Sequence, residues 1–317
     1  MSVRSKWPAL WLSASVFASV AGMPADASAH ASCKAHIVMD AGTGDVYSSR
    51  NADESCYPAS LTKVMTAYVI FEELDKGNLF LDDKMIVSEN AASMPAVTLD
   101  LSPGDTITVR QALDALLILS ANDVAVVVAE EIEGGETDFV ERMNEVARSI
   151  GMLDTTYGSA SGLDNPQYLQ VRDGQLTTAI DQARLALALL GNHADKLIFF
   201  EKEGFEYEGK YYETQNRFIA PKKNKSFADN IADEVGLILG KTGFTYRARH
   251  AFLGFEQNES DGSSAVIAAL GSRTRNLLWH HVGHYLGSYG WGPFEIPPRR
   301  LEALLNSPMR RPYIPEP

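Results

Sequence analysis

A serine and a lysine stand three residues apart in YPASLTKVMTAYVI, residues 57 to 70, and the company after them is largely apolar. On a helix, residues three apart share a face, so the amine of Lys63 falls beneath the hydroxyl of Ser60. A serine hydroxyl is a poor nucleophile at neutral pH and needs a base. Apolar surroundings disfavour an ammonium and lower its pKa, leaving an amine able to take a proton. The helix start adds free N–H groups and a partial positive field, suited to an oxyanion. The alternative is a serine cap with Lys63 in solvent. Because S-x-x-K arises by chance about once in a chain of this length, the pair alone decides nothing.

Two later segments bear on it. SAN at 120 to 122 lies between two apolar helical patterns, where a break would present Ser120 and Asn122 from a loop. The hydroxyl would relay protons and the amide would hold a carbonyl. SEN at 88 to 90 has the same spacing but lies in a polar stretch, so the junction at 120 is preferred. GKTGFT, residues 240 to 245, follows the strand-like VGLILG. Gly243 permits close backbone approach, and Lys241 with Thr242 supplies a cation and a hydroxyl suited to a carboxylate. An ordinary turn is the competing reading of this triplet.

In that order, Ser60-x-x-Lys63, Ser120-x-Asn122 and Lys241-Thr242-Gly243 resemble the three motifs of penicillin-binding proteins and serine β-lactamases. The fit is closest to the low-molecular-mass D-alanyl-D-alanine carboxypeptidases. MDAGTGDVYSSRNADESCYPASLTKVMTAYV, LSANDVAVVVAEEI and MNEVARSIGMLDTTYGSASGL are also similar to that family, over roughly residues 35 to 290. The resemblance implies an α+β fold of the β-lactamase/transpeptidase type, an antiparallel sheet flanked by helices with an inserted helical subdomain. It implies a serine hydrolase that removes the terminal D-Ala of peptidoglycan stem peptides and is covalently inhibited by β-lactams, with no cofactor and no metal. Ser60 would form the acyl-enzyme, Lys63 would be the base, and Ser120 would pass the proton to the leaving amine. Asn122 would bind substrate. Lys241, Thr242 and Gly243 would engage the terminal carboxylate, and the N–H groups of Ser60 and Phe244 would form the oxyanion hole. Arg275 or Arg273 would assist with the carboxylate. The same chemistry fits a D,D-endopeptidase. A β-lactamase is disfavoured because no E-x-x-L-N-like segment lies between the second and third motifs and the middle motif is SAN rather than SDN. The intact set of Ser60, Lys63, Ser120 and Lys241 argues against a non-catalytic wall-binding protein. Two segments depart from the family pattern: RARHAF after the K-T-G triplet, and GSASGLDN where many members carry Asn-Pro-His-Gly-Leu.

The elements that must position these residues are legible in outline. AHIVMD and DVYSSR flank AGTG as a hairpin. A helix spans 61 to 76 and closes at Gly77; residues 85 to 107 read as irregular or short-stranded. Thr108 and Gln111 form a capping box opening a helix that runs to the SAN segment. DVAVVVAEEI follows as a third helix. Residues 138 to 150 form an amphipathic helix with Phe139, Met143, Val146 and Ile150 on one face, and another helix runs from Thr178 to Gly191-Asn192. FEYEGKYYETQN, VGLILG, RHAFLGFEQ and SAVIAALG read as strands, and a last helix covers about 274 to 288. HHVGH within it reads as a solvated face rather than a metal site, since no carboxylate or cysteine cluster accompanies it.

The chain has 317 residues and a net charge of −13, which disfavours nucleic acid and anionic lipid as partners. Residues 1–29 read as a secretory signal peptide, cleaved after Ala29 or Ala31, so the expected location is periplasmic or wall-associated. The catalytic domain is expected over 30–291, followed by a Pro- and Arg-containing tail over 292–317. At most the tail's arginines give weak peripheral membrane contact. No counterpart of the second, β-rich domain of some family members is recognised. Cys33 and Cys56 are expected to form a disulfide, with two free thiols as the alternative.

Overall fold

The computed structural model describes residues 34–170, 174–219, 238–257 and 264–286. Its frame is a five-stranded sheet of β1 (Ala35–Asp40), β2 (Val46–Arg50), β7 (Ile238–Thr245), β8 (Arg249–Gln257) and β9 (Ser264–Ser272). The strands lie in the order β2-β1-β9-β8-β7, with every neighbouring pair antiparallel. Two further antiparallel pairs stand apart from it: β3 (Lys84–Ile86) with β4 (Thr106–Thr108), and β5 (Gly204–Tyr207) with β6 (Lys210–Glu213).

Between β2 and β7 the chain leaves the sheet to build the helical part. There α1 (Thr62–Lys76), α2 (Glu89–Ala92), α3 (Val109–Asp114), α4 (Asn122–Glu133), α5 (Glu136–Ser149) and α6 (Ala179–Asn192) follow in order. The expected insertion of helices into an antiparallel sheet is therefore present. Local chemistry fixes the ends of these helices. Gly77 closes α1 in the left-handed region, which glycine adopts without a Cβ penalty. Thr108 and Gln111 make both halves of the capping box on α3. Thr178 caps α6 by accepting from the Asp181 N–H. On α5, Phe139, Met143 and Val146 are buried as their spacing requires. Helix α1 is buried over nearly its whole first three turns, from Thr62 to Phe71. A helix apolar on all sides belongs in the centre of a core, and α1 carries the nucleophile candidate at its entry.

The opposite sheet face is covered by α7 (Arg275–Leu286), where Trp279 packs edge-on against Phe218 and Phe252 at 5.4 and 5.2 Å between ring centroids. Two expectations change here. GKTGFT does not merely follow the strand VGLILG but continues it: residues 240–245 lie inside β7, paired with β8 along their whole length, which removes the competing reading of an ordinary turn. The segment 235–237 of VGLILG lies outside the described residues. HHVGH is not a solvated face either, because His280 is fully buried and His281 half-buried, with His284 alone exposed. The α7 face that meets the sheet takes in Leu277, Leu278, Trp279, His280 and Val282. Among the described residues no cluster of metal-ligating side chains is found, and no helix is long and apolar enough to cross a membrane. Cys56 is disulfide-bonded; Cys33, the expected partner, lies outside the described residues, as do residues 1–29 and 292–317.

Phe252 is fully buried between Phe218 and Trp279. Phe252→Ala should lower stability by about 3–5 kcal/mol, measured as a lower urea midpoint at unchanged slope; a loss below about 1 kcal/mol would mean that α7 is not held by this contact.

Candidate active site

Ser60 lies in the single 3₁₀ turn Ala59–Leu61 that leads into α1. Ala59 takes a left-handed backbone, φ 49°, a costly conformation for a residue with a Cβ. Two contacts hold it there. Just upstream, Cys56 exchanges backbone hydrogen bonds with Thr177, at 2.7 and 2.8 Å. From the side, Gly162 presses so close that a Cβ on it would stand 2.0 Å from the Ala59 carbonyl oxygen. Gly162 also has φ +84°, so both space and backbone demand glycine at this position.

Lys63 sits one turn on, fully buried, with its Nζ 3.5 Å from the Ser60 Oγ. It donates to the Asn122 Oδ1 at 2.7 Å and to the Ser161 carbonyl at 2.6 Å. A neutral amine has two N–H groups and one lone pair, whereas an ammonium has three N–H groups and none. The two short bonds account for two N–H groups, so in the neutral form the lone pair remains to face the serine hydroxyl. Burial drives the Lys63 pKa well below the ordinary lysine value, the charge of Lys241 adds to the fall, and Asp123 opposes it. The 3.5 Å separation is long for a hydrogen bond; catalytic contacts of this kind tighten when substrate arrives.

The SAN segment is a break of a particular kind. A wide turn, Ala115–Leu119, follows α3, and Ser120 leaves it in the left-handed region at φ 77°. The Ser120 N–H bonds back to the Ala115 carbonyl at 2.8 Å. Asn122 is not on a loop, as expected from the sequence, but is the first residue of α4. Its side chain is spent on structure in this state: Oδ1 accepts from Lys63 and Nδ2 donates to the Pro95 carbonyl at 2.8 Å. Asp123 anchors the same junction by accepting from the Leu99 N–H at 2.9 Å.

β7 brings the third segment to the same place. Lys241, only 2% exposed, donates to the Ser120 Oγ and to the Thr242 carbonyl, each at 2.9 Å. Burial lowers its pKa to about 7. Gly243 backs onto the nucleophile's turn: a Cβ there would meet the Pro58 carbonyl oxygen at 3.2 Å and the Ser60 and Leu61 nitrogens at 3.3 Å. Thr242 and Phe244 are half-buried, and Phe244 stacks on His250 of β8 at 4.5 Å. The structure therefore brings Ser60, Lys63, Ser120, Asn122, Lys241 and Gly243 together, with Thr242 and Phe244 beside them on β7. It separates the two arginine candidates. Arg275 opens α7 and its charge lowers the pKa of His250, the register partner of Phe244, after the larger effect of burial. Arg273 lines a different cavity with His36, Arg50 and His281.

Several residues of the cleft have no counterpart in the sequence reading. The segment 159–164 closes over α1: Thr66 donates to the Ala160 carbonyl, Glu136 accepts from the Ala160 N–H, and Thr245 of β7 donates to Asp164. The run of small residues in GSASGLDN was the available signal, since small side chains let a backbone carbonyl reach a buried amine. The RARHAF departure also has a structural role. Ala248 packs on Tyr57 and Ala59, and the Arg247 guanidinium lies over the Tyr57 ring at 5.7 Å.

A family profile described as D-alanyl-D-alanine carboxypeptidase matches residues 22–272. Over 176 residues the chain is 37% identical to the D-alanyl-D-alanine carboxypeptidase DacF of Bacillus subtilis, covering 56% of this chain and 43% of that protein. Over 269 residues it is 29% identical to DacC of Escherichia coli, covering 83% of this chain and 62% of that one. It thus spans about half the length of these relatives. Among solved structures it is similar to penicillin-binding protein D2 of Listeria monocytogenes in its ampicillin-bound form, with TM-score 0.66 and 28% identity over 81% of this chain and 96% of the other.

The burial of Lys63 has a direct readout. In an NMR titration of lysine Nζ signals, one amine assignable by Lys63→Arg should lose its proton far below pH 10.5, the ordinary value. A Lys63 signal that titrates with the surface lysines would contradict the geometry described.

Proposed function

Since the chain belongs to the D-alanyl-D-alanine carboxypeptidase family, we propose that it hydrolyses the terminal peptide bond of peptidoglycan stem peptides ending in D-Ala-D-Ala. The observation that carries this reading is the convergence of two buried lysine amines, one on Ser60 and one on Ser120.

In the acylation step Lys63 accepts the Ser60 proton as the Oγ attacks the carbonyl carbon of the penultimate D-Ala. The oxyanion is taken by the N–H groups of Ser60 and Phe244, preorganised donors of the kind that dominates acyl-transfer catalysis. Collapse breaks the C–N bond. The proton passes through Ser120 to the leaving nitrogen, and free D-Ala departs. Water then attacks the ester, regenerating Ser60 and releasing the shortened stem. Lys241 and Thr242 hold the terminal carboxylate, with Arg275 adding positive charge from the start of α7. Asn122 exchanges its bond to Lys63 for a substrate amide. A β-lactam enters the same step as a carboxylate-bearing amide whose leaving nitrogen stays tethered in the ring. The ampicillin-bound form of the Listeria relative supports this extension. The enzyme works outside the cytoplasm, exported by residues 1–29 and acting through a catalytic domain over 30–291.

Ser60→Ala should abolish labelling by fluorescent penicillin and lower D-Ala release from diacetyl-Lys-D-Ala-D-Ala at least about a thousandfold, with the urea midpoint retained; persistence of either activity would overturn the assignment. Mass spectrometry of digested muropeptides separates the two peptidase outcomes: monomers that lose D-Ala mark the carboxypeptidase, split dimers the endopeptidase. The acylation rate should decline in acid as Lys63 gains a proton. A rate flat well into the acidic range would remove Lys63 as the base.

A further inference from the structure

A cavity of about 260 Å³ opens beside α7, lined by the start of β1, the end of β2 and the end of β9. It shares none of the cleft's motif residues, and β8 stands between its strands and β7. Its lining is unusual for a protein of net charge −13. Lys34, Arg50 and Arg273 contribute three cations and His36 and His281 two imidazoles, with no Asp or Glu among the lining residues. The floor is ordered. His36 is buried, its Nε2 shares a hydrogen bond with the Ser48 Oγ at 2.9 Å, and its ring stacks on Tyr285 at 3.8 Å. His281 stacks on the same tyrosine at 5.8 Å.

We propose that this cavity is a second binding site, taking a multivalent oxyanion, a phosphate group above all. Guanidinium and ammonium groups over a floor of imidazoles match a phosphate in charge and in number of donors. Burial first, then the neighbouring histidines and cations, lower the pKa of both His36 and His281 to about 4. The charged and titratable groups facing them are Lys34, Arg50, Arg273, His284 and Tyr285. A bound phosphate reverses the field, raises both pKa values and draws protons onto the rings. Two residues that the catalytic reading leaves over, Arg273 and His281 of the HHVGH run, meet in this one cavity.

The test is an NMR titration of histidine ring signals in the mature protein with inorganic phosphate. Saturable shifts at His36 and His281, with both pKa values moved upward, are expected. The double variant Lys34→Glu/Arg50→Glu should weaken binding at least tenfold while fluorescent penicillin labelling stays unchanged, so failure here is distinct from failure of the catalytic reading. Lys34→Gln/Arg50→Gln serves if the charge reversal does not fold. A second arm uses sedimentation with phosphatidylglycerol vesicles against phosphatidylcholine vesicles. Retention on the anionic vesicles, competed by phosphate, identifies a lipid headgroup as the source; phosphate binding without retention identifies a soluble or polymer-borne phosphate. No saturable shift, or a shift equally strong in the charge variants, would overturn the site.

Discussion

A primary amine removed from water is the constraint around which the cleft is arranged. Lys63 has traded hydration for two short bonds, to Ser161 and Asn122, and its proton is the cost that burial imposes. Lys241 is treated alike. Both pKa values are depressed on folding, so the unfolded chain binds more protons than the native one below pH 10.5. Stability contributed by these groups is whole above that value and is lost as pH falls, for Lys241 down to about 7. The fold accepts this loss in placing a buried amine beside a hydroxyl, and the surrounding core of α1 must compensate. That is one reason why the first turns of α1 are buried on every side.

Distance between backbones does the rest. Three segments far apart in sequence must approach the turn at Ala59–Leu61 within contact range, and two glycines make it possible. Gly162 admits the 159–164 segment against the Ala59 carbonyl, and Gly243 admits β7 against the Ser60 nitrogen. The Thr245–Asp164 bond then ties these two segments to each other across the turn. Ser60 is consequently enclosed by main chain, whose position depends on packing rather than on any one side chain.

The parts of the fold legible in the sequence were those written locally. The capping box at Thr108, the glycine stop at Gly77, the hairpin around AGTG and the period of α5 each depend on a few adjacent residues. The candidate site residues were legible for another reason, since the three motifs resemble a known family in order. What escaped was non-local. Nothing near Ser161 says that its carbonyl will meet an amine 98 positions away. The histidines of α7 misled because a polar run on a helix reads as solvent-facing, whereas His280 is enclosed where helix and sheet meet. Likewise the turn stays open as a competing reading of KTG because its pairing with β8 is not written near residue 241.

The wide turn before Ser120 carries a last implication. An i→i+5 turn holds one residue more than an ordinary helical turn, and that surplus lets α3 and α4 each keep a buried face while Ser120 points elsewhere. Loss of any one of the five residues 115–119 would rewind the turn and shift the phase of Ser120 against α3 by about 100°, carrying the hydroxyl away from Lys241. Swapping one aliphatic side chain for another there leaves that phase untouched. In this stretch, then, the number of codons is held more tightly than their meaning, and a frame-preserving deletion is a graver lesion than most substitutions.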